Sequence, residues 1–342
     1  MRVDEFDYEL PPELIAQEPL ERRDESRLLV LNRATGEVTH RVFRDVLDYL
    51  YPQDALVINE TRVIPARLLG RRSSGGKTEV LLLKDLGDDR WECLVRPGRK
   101  VRPGDHIIVE KNGCRMEGEV LARTSYGGRI IKWSYRGDFR ENLETLGTVP
   151  LPPYVRKPVR DPERYQTVYA RIPGSVAAPT AGLHFTPELL SQVQSKGVHV
   201  VRIRLDVGLG TFRPVRESEV EKHVMHEEYF QIGEEAAETI NRVRESGGKI
   251  IAVGTTVVRA LESAASSDGK VEPKAEETRL YIYPGYEFKV VDRLITNFHL
   301  PRSTLLMLVC AFAGKDLVLR AYREAVKERY RFYSFGDAML IL

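Results

Sequence analysis

Four loops of this 342-residue chain carry side chains able to do chemistry. The first is GSVAAPTAGLHFT, Gly174 to Thr186, in which nine of thirteen residues are Gly, Ser, Ala, Thr or Pro. Small residues let a ligand approach the backbone closely. Thr180 adds a hydroxyl there, and His184 a group that donates or accepts a proton. A tight connection with a structural histidine would use the same residues. The second loop is DVGLGTFRP, Asp206 to Pro214. Gly208 and Gly210, with Asp206 and Thr211 beside them, follow a strand as in a nucleotide-binding turn. Arg213 stands where the dinucleotide fingerprint needs its third glycine, which speaks against NAD bound in the Rossmann manner. A GxG pair alone serves a plain turn equally well.

The third loop is EKHVMHEE, Glu221 to Glu228. On a helix, His223 and His226 would share a face. The spacing is not HExxH and no cysteine cluster supports it, so proton transfer or hydrogen bonding is favoured over metal ligation. The fourth site pairs AVGTTVVRALE (Ala252 to Glu262) with ITNFHLPRSTLLML (Ile295 to Leu308). The first string reads as strand, Gly-Thr-Thr, helix, a geometry that rests a carboxylate or phosphate on amides beside the Thr255 and Thr256 hydroxyls, with Arg259 further along the helix. The second ends a strand with Asn297 and His299 before Pro301 and a helix. Helix capping explains either alone; together on one sheet edge they argue more strongly for a ligand site. In TRLYIYPGY (Thr278 to Tyr286) a strand would set Tyr281 and Tyr283 on one face, as core or as a stacking surface for adenine or a sulfonium, worth ~0.5–2 kcal/mol.

The elements that must position these loops alternate. SRLLVLNR, GEVTHRVF and DALVINETRV read as strands, and RDVLDYLY has helical spacing. From Leu69 to Gly147, short β-like runs cut by Gly and Asn suggest a small barrel or sandwich, and PLPPYVRKP a linker out of it. Beyond Gly174, PELLSQVQSKG is a helix with Thr186 as N-cap, Pro187 in its first turn and Gly197 past its end. VHVVRIRLDV, KIIAVG and RLITNF are strands alternating with helices, which predicts a mainly parallel sheet covered on both faces. The expected fold is therefore α/β: a three-layer αβα main domain of residues 1–68 and 150–342, with an inserted all-β, barrel-like domain at 69–149.

Composition sets outer bounds. Cys93, Cys114 and Cys310 are odd in number and far apart, against a disulfide framework or a Cys zinc site. The acidic, Pro-bearing N-terminus lacks the apolar core of a signal peptide, and the apolar run Leu305 to Ala313 is far short of the ~20 residues that span a bilayer, so a cytoplasmic protein is expected. The net charge of +2 hides an asymmetry: Arg96 to Arg171 holds 16 Lys/Arg against 9 Asp/Glu, leaving the rest net acidic. A local basic stretch suits a polyphosphate partner; it equally describes a solvated face.

The chain resembles the S-adenosylmethionine:tRNA ribosyltransferase-isomerase family of queuosine biosynthesis. The strings that carry the likeness are DYELPPELIAQEPLERRDESRLLVL, LVINETRVIPARL, GSVAAPTAGLHFT, VGLGTFRP, HVMHEE, AVGTTVVRALE, ITNFHLPRSTLLMLVCAFAG and YRFYSFGDAMLI, which run from one end to the other. Glu60, Arg302 and Val224 depart from the pattern, where Asp, Lys and a basic residue are usual. The resemblance implies an α/β domain with an inserted β-barrel, and a monomer. It implies transfer of the ribosyl part of S-adenosylmethionine to the aminomethyl group of 7-aminomethyl-7-deazaguanine in tRNA. The products would be epoxyqueuosine-tRNA, adenine and methionine. S-adenosylmethionine would be a co-substrate, with no metal or redox cofactor. In that reaction a C–H beside the sulfonium must lose a proton, adenine must leave and the tRNA amine must attack in neutral form. Acid–base groups supply ~10²–10⁴-fold each, and histidine suits the task. His184, His226 and His299 are the acid–base candidates, with Asp206 orienting one of them or binding ribose hydroxyls. Thr180, Gly208, Gly210, Thr211, Thr255, Thr256, Arg259 and Asn297 are the substrate-binding candidates. The basic stretch is assigned to tRNA phosphates. An ordinary methyltransferase, a non-catalytic RNA-binding protein and a dehydrogenase are the rival readings.

Overall fold

The structure, a computed structural model, describes residues 1–157, 161–208, 215 and 217–342. The chain divides into two compact units: Met1–Arg62, Pro152–Ile172 and Ala178–Leu342 form one, and Val63–Leu151 with Pro173–Ala177 the other.

The first unit is built on a nine-stranded sheet in the order Lys274–Thr278, Glu228–Ile232, His199–Leu205, Ala55–Asn59, Ile250–Val253, Arg293–Asn297, Ala338–Ile341, Arg27–Leu31, Val38–Val42. The sequence of Ala55–Asn59, ALVIN, is buried at every residue, the pattern of a strand covered on both faces. His199–Leu205, Ala55–Asn59, Ile250–Val253 and Arg293–Asn297 run parallel. The expectation of a mainly parallel sheet holds at this centre and for Arg27–Leu31 beside Ala338–Ile341. The other four pairings are antiparallel. Close connections such as that from Leu31 to Val38 leave no room for a crossover helix, so they return the chain as a hairpin.

Side-chain alternation divides the sheet into two faces. Leu28, Val30, Leu56, Ile58, Ile251, Val253, Ile295 and Leu340 share one core with Phe43, Val46, Phe185, Leu189 and Val193. That layer comes from the turn Phe43–Tyr49, which is 3-10 rather than α-helical, and from helix Pro187–Ser195. Thr186 Oγ1 caps the helix by accepting from the Leu189 N–H at 3.1 Å. Helices Glu234–Glu245 and Thr255–Ala264 also pack on the sheet, giving helix, sheet and helix layers. The strand expected across Thr278 to Tyr286 stops at Thr278. Pro284 and Gly285 (φ 105°) turn the chain, so Tyr281 and Tyr283 lie outside any strand, their ring centroids 5.0 Å apart.

The second unit is a closed six-stranded antiparallel barrel: Arg67–Arg72, Lys77–Asp85, Arg90–Arg96, Arg129–Tyr135, Cys114–Arg123 and His106–Lys111. Arg71 opposite Ile108 and Arg72 opposite Ile107 close it. At this seam a Cβ on Gly70 would lie 2.5 Å from the Ile108 carbonyl oxygen, so only glycine fits. Val80, Leu82, Cys93, Val109, Met116, Val120, Ile131 and Trp133 are buried, alternating with outward residues. Strand Arg67–Arg72 lies wholly in the barrel, whereas the boundary placed after residue 68 would cut it. Among the described residues, no helix is long and apolar enough to cross a membrane.

Candidate functional site

Two neighbouring parallel strands end in the loops singled out above. Strand Ile250–Val253 runs into Gly254, whose φ of 94° is open to glycine but strained for other residues, and then into helix Thr255–Ala264. The Gly254 N–H donates to the Ile295 carbonyl at 2.8 Å, tying the turn to the next strand. Among the described residues no side chain caps this helix, so its first-turn amides are available to an anion. Strand Arg293–Asn297 ends in Phe298, His299, Leu300 and Pro301. Ser303 Oγ then donates to the Leu300 carbonyl at 2.7 Å and caps helix Thr304–Ala313 through the Leu306 N–H at 3.2 Å.

Both strand ends line one cavity of about 190 Å³, with Thr180, Ala181, Val207, Tyr154, Tyr333 and Ser334 completing its walls. Ligands of open α/β sheets bind at such carboxyl ends. Three residues of the lining carry a buried polar atom without a hydrogen-bond partner among the described residues: Thr256 Oγ1, Asn297 Oδ1 and Tyr333 Oη. An unsatisfied buried polar atom costs about 1–3 kcal/mol. Three gathered on one wall make this cavity the candidate site for a polar ligand.

His299 lies in this wall, 9% exposed. Its Nε2 meets Thr296 Oγ1 at 2.7 Å, which leaves Nδ1 for a ligand. Its main chain is held by the Tyr322 hydroxyl, which accepts from its N–H at 3.1 Å, and by the Tyr8 hydroxyl, which donates to its carbonyl at 2.5 Å. Burial pushes the imidazole down to about 3, so it is neutral near pH 7, with one ring nitrogen a donor and the other an acceptor.

His184 sits differently. It lines a separate space of about 20 Å³ with Arg23, Ser26 and Arg331. Its ring stacks on Phe43 at 4.9 Å. The Asn297 Nδ2 group donates to the Tyr333 carbonyl at 3.0 Å and to His184 Nε2 at 3.2 Å. That fixes the amide orientation and the tautomer: Nδ1–H of His184 donates to Ser26 Oγ at 2.7 Å. Burial, helped by Arg331 and Arg23, pushes His184 down to about 3. With both nitrogens engaged, it sets the Asn297 amide.

The remaining sequence candidates divide. Thr180, Thr255, Thr256 and Asn297 are in the cavity wall. Asp206 is held by its neighbours, accepting from Thr61 Oγ1 at 2.7 Å and from the Arg204 guanidinium at 2.6 and 3.0 Å. Arg259 forms a buried ion pair with Glu228, whose other oxygen accepts the Gly208 N–H at 2.8 Å. Arg259 therefore braces the Gly208 turn from within the fold. His226 is exposed, away from the cavity lining, and follows no helix, because the turn Val220–Lys222 ends before it. Gly210 and Thr211 lie outside the described residues, as does Arg213. Among the described residues no group of three or more His, Cys, Asp or Glu is arranged for a metal. Tyr154, Ser303, Tyr333 and Ser334 were missed from the sequence. The string YRFYSFGD, dense in aromatics near the C-terminus, was the available signal.

The basic stretch is also divided. Arg129 is 3% exposed, and its guanidinium donates to the carbonyls of Gly98, Val101, Gly127 and Gly128 at 2.5–2.8 Å, so it is barrel structure and not a phosphate contact. Arg96, Arg99, Lys100 and Arg102 are exposed.

The chain matches the family described as queuosine biosynthesis protein over residues 3–341. It is 60% identical over 343 residues to the S-adenosylmethionine:tRNA ribosyltransferase-isomerase of Symbiobacterium thermophilum, and 57% identical over 342 residues to that of Carboxydothermus hydrogenoformans, with 100% of both chains covered each time. A crystal structure of the S-adenosylmethionine tRNA ribosyltransferase of Thermotoga maritima is similar, with a TM-score of 0.56, 46% identity and coverage of 99% of this chain and 100% of that one. The chain belongs to the queuosine-biosynthesis family of S-adenosylmethionine:tRNA ribosyltransferase-isomerases.

Proposed function

We propose that this chain transfers the ribosyl part of S-adenosylmethionine to 7-aminomethyl-7-deazaguanine in tRNA, giving epoxyqueuosine-tRNA and releasing adenine and methionine. The observation that carries this reading is the cavity wall itself, in which a helix start without a side-chain cap, a neutral histidine and three polar atoms without partners meet. The amides of Thr255 and Thr256 suit the methionine carboxylate. Asn297 Oδ1 accepts a hydrogen bond from the co-substrate. In the tautomer whose Nε2–H donates to Thr296 Oγ1, His299 offers Nδ1 as the acceptor for the C–H proton that the positive sulfur acidifies. His184 is a positioning residue acting through Asn297. The barrel, an inserted domain in this reading, offers Arg96, Arg99, Lys100 and Arg102 to tRNA phosphates. The protein acts as a monomer in the cytoplasm, where its tRNA is, with S-adenosylmethionine as its only small co-substrate.

The test is product analysis. The protein is incubated with S-adenosylmethionine and tRNA bearing the aminomethyl-deazaguanine, and small molecules and digested nucleosides are weighed by mass spectrometry. Adenine, methionine and a ribosyl-derived mass gain on the base are expected. S-adenosylhomocysteine with a one-methyl gain would make the protein a methyltransferase.

A further inference from the structure

Among the described residues, Tyr333 is the one bulky aromatic of the cavity wall held in the left-handed region, at φ 72°. A side chain there is strained and persists only when its surroundings fix it. They do so from one strand end. The Tyr333 N–H donates to the Phe298 carbonyl at 3.2 Å. Its carbonyl accepts from Asn297 Nδ2 at 3.0 Å and from the Gly336 N–H at 2.9 Å. The ring stacks on Tyr154, centroids 4.3 Å apart and 29° from parallel, and the Tyr154 hydroxyl is anchored to Ser334 Oγ at 2.6 Å. The Tyr333 hydroxyl has no partner among the described residues. Burial pushes its phenol up, so it keeps its proton and can only donate or accept as a neutral group.

From this geometry we propose that Tyr333, backed by Tyr154, is the nucleobase wall of the cavity and that its hydroxyl donates a hydrogen bond to a ring nitrogen of the adenine of S-adenosylmethionine. The inference rests on the functional reading above and deepens it. A planar π-ring suits a wall made of two stacked phenols. When the bond between ribose and adenine breaks, its electron pair goes to the purine. A phenol already aimed at a ring nitrogen strengthens its hydrogen bond as that charge grows. Tyr333 keeps its proton throughout, and the departing adenine takes its own from water.

The experiment compares wild type, Tyr333→Phe and Tyr154→Leu in the full-length chain. Binding of S-adenosylmethionine and of free adenine is followed by calorimetry, with kcat and the KM for tRNA measured beside it. Removing a hydroxyl that has no partner leaves the thermal midpoint of Tyr333→Phe near that of wild type. The expected result is adenine bound about 10- to 100-fold more weakly by Tyr333→Phe, kcat lowered by a similar factor and the KM for tRNA unchanged. Tyr154→Leu, which keeps bulk but removes the ring, weakens adenine as well. Wild-type affinity for adenine and wild-type kcat in Tyr333→Phe would overturn the proposal. So would a rise in the KM for tRNA alone, which would give the wall to the tRNA base. A wild-type chain that binds no S-adenosylmethionine at all would overturn the functional reading, and this inference with it.

Discussion

Arg129 of the barrel and the cavity wall of the sheet unit hold buried polar groups in opposite ways. In the barrel, Arg129 is buried and turns its whole guanidinium inward onto four carbonyls. In the sheet unit, Thr256, Asn297 and Tyr333 keep polar atoms buried and without partners among the described residues on one cavity wall. A satisfied buried cation is structure, since its bonds specify one arrangement of loops. Buried atoms without partners also occur elsewhere among the described residues, as at Arg72, Thr124 and Trp133 in the barrel, so it is the gathering of three on one cavity wall that points to a ligand. The same contrast separates the two buried histidines: both nitrogens of His184 have partners inside the fold, while only Nε2 of His299 has one among the described residues.

The largest effect therefore belongs to His299. His299→Asn is expected to lower kcat by about 10²–10⁴-fold while S-adenosylmethionine binding changes little. His184→Asn should cost less and leave the shape of the pH–rate profile as in wild type, because a positioning residue does not titrate in turnover. A pH profile altered by His184→Asn but not by His299→Asn would reverse the two assignments.

A second break falls on stability. Glu228 and Arg259 are 4% and 3% exposed, and Glu228 also holds the Gly208 N–H. Glu228→Gln leaves the guanidinium buried without its counter-charge, a loss of about 3–5 kcal/mol, read as a lower denaturant midpoint. A shift under 1 kcal/mol would mean that Arg259 is solvated and available to substrate, as the sequence suggested.

Much of this was legible in the residues, for identifiable reasons. Thr186, Pro187 and Gly197 punctuate a helix by local chemistry, and the helix is there. ALVIN is apolar throughout because both faces are covered, so its place in the sheet centre could be read. The Gly254-Thr255-Thr256 turn and the Asn297-His299 strand end were found because each is a local motif on one edge. The contributions of Tyr154 and Tyr333 could not be found so: they meet across 179 positions through a left-handed backbone that no local pattern announces. The internal partners of Arg259 and Arg129 could not be read from the sequence for the converse reason. A positive residue beside a loop looks the same in sequence whether it faces a phosphate or a carbonyl.

The pH dependence of stability sharpens the histidine comparison further. Burial holds both His184 and His299 down to about 3, against an ordinary value of 6.5. Above pH 6.5 neither the folded nor the unfolded chain protonates them. Between 6.5 and 3 only the unfolded chain does, so it binds more protons and stability falls as pH falls. Each histidine should contribute up to about a tenfold change in the folding equilibrium per pH unit in that window. Denaturant titrations from pH 7 to pH 4 should show a shallower slope for the His184→Asn, His299→Asn double variant. An unchanged slope would place both imidazoles in contact with water.

The smallest effect per residue is expected on the barrel. Each of Arg96, Arg99, Lys100 and Arg102 that neutralises a tRNA phosphate adds about 0.7–0.9 to the slope of log affinity against log salt. Glutamine at all four should flatten that slope by up to roughly 3 and weaken tRNA binding most at low salt. S-adenosylmethionine binding should not move, because the cavity wall contains none of these residues. Arg129→Gln tests the other half of the contrast: it should lower the unfolding midpoint of the chain without changing the salt slope, as befits a cation whose bonds all close within the barrel. If the four-fold variant keeps the wild-type slope, the barrel's charge is a solvated face and the phosphate contacts lie elsewhere.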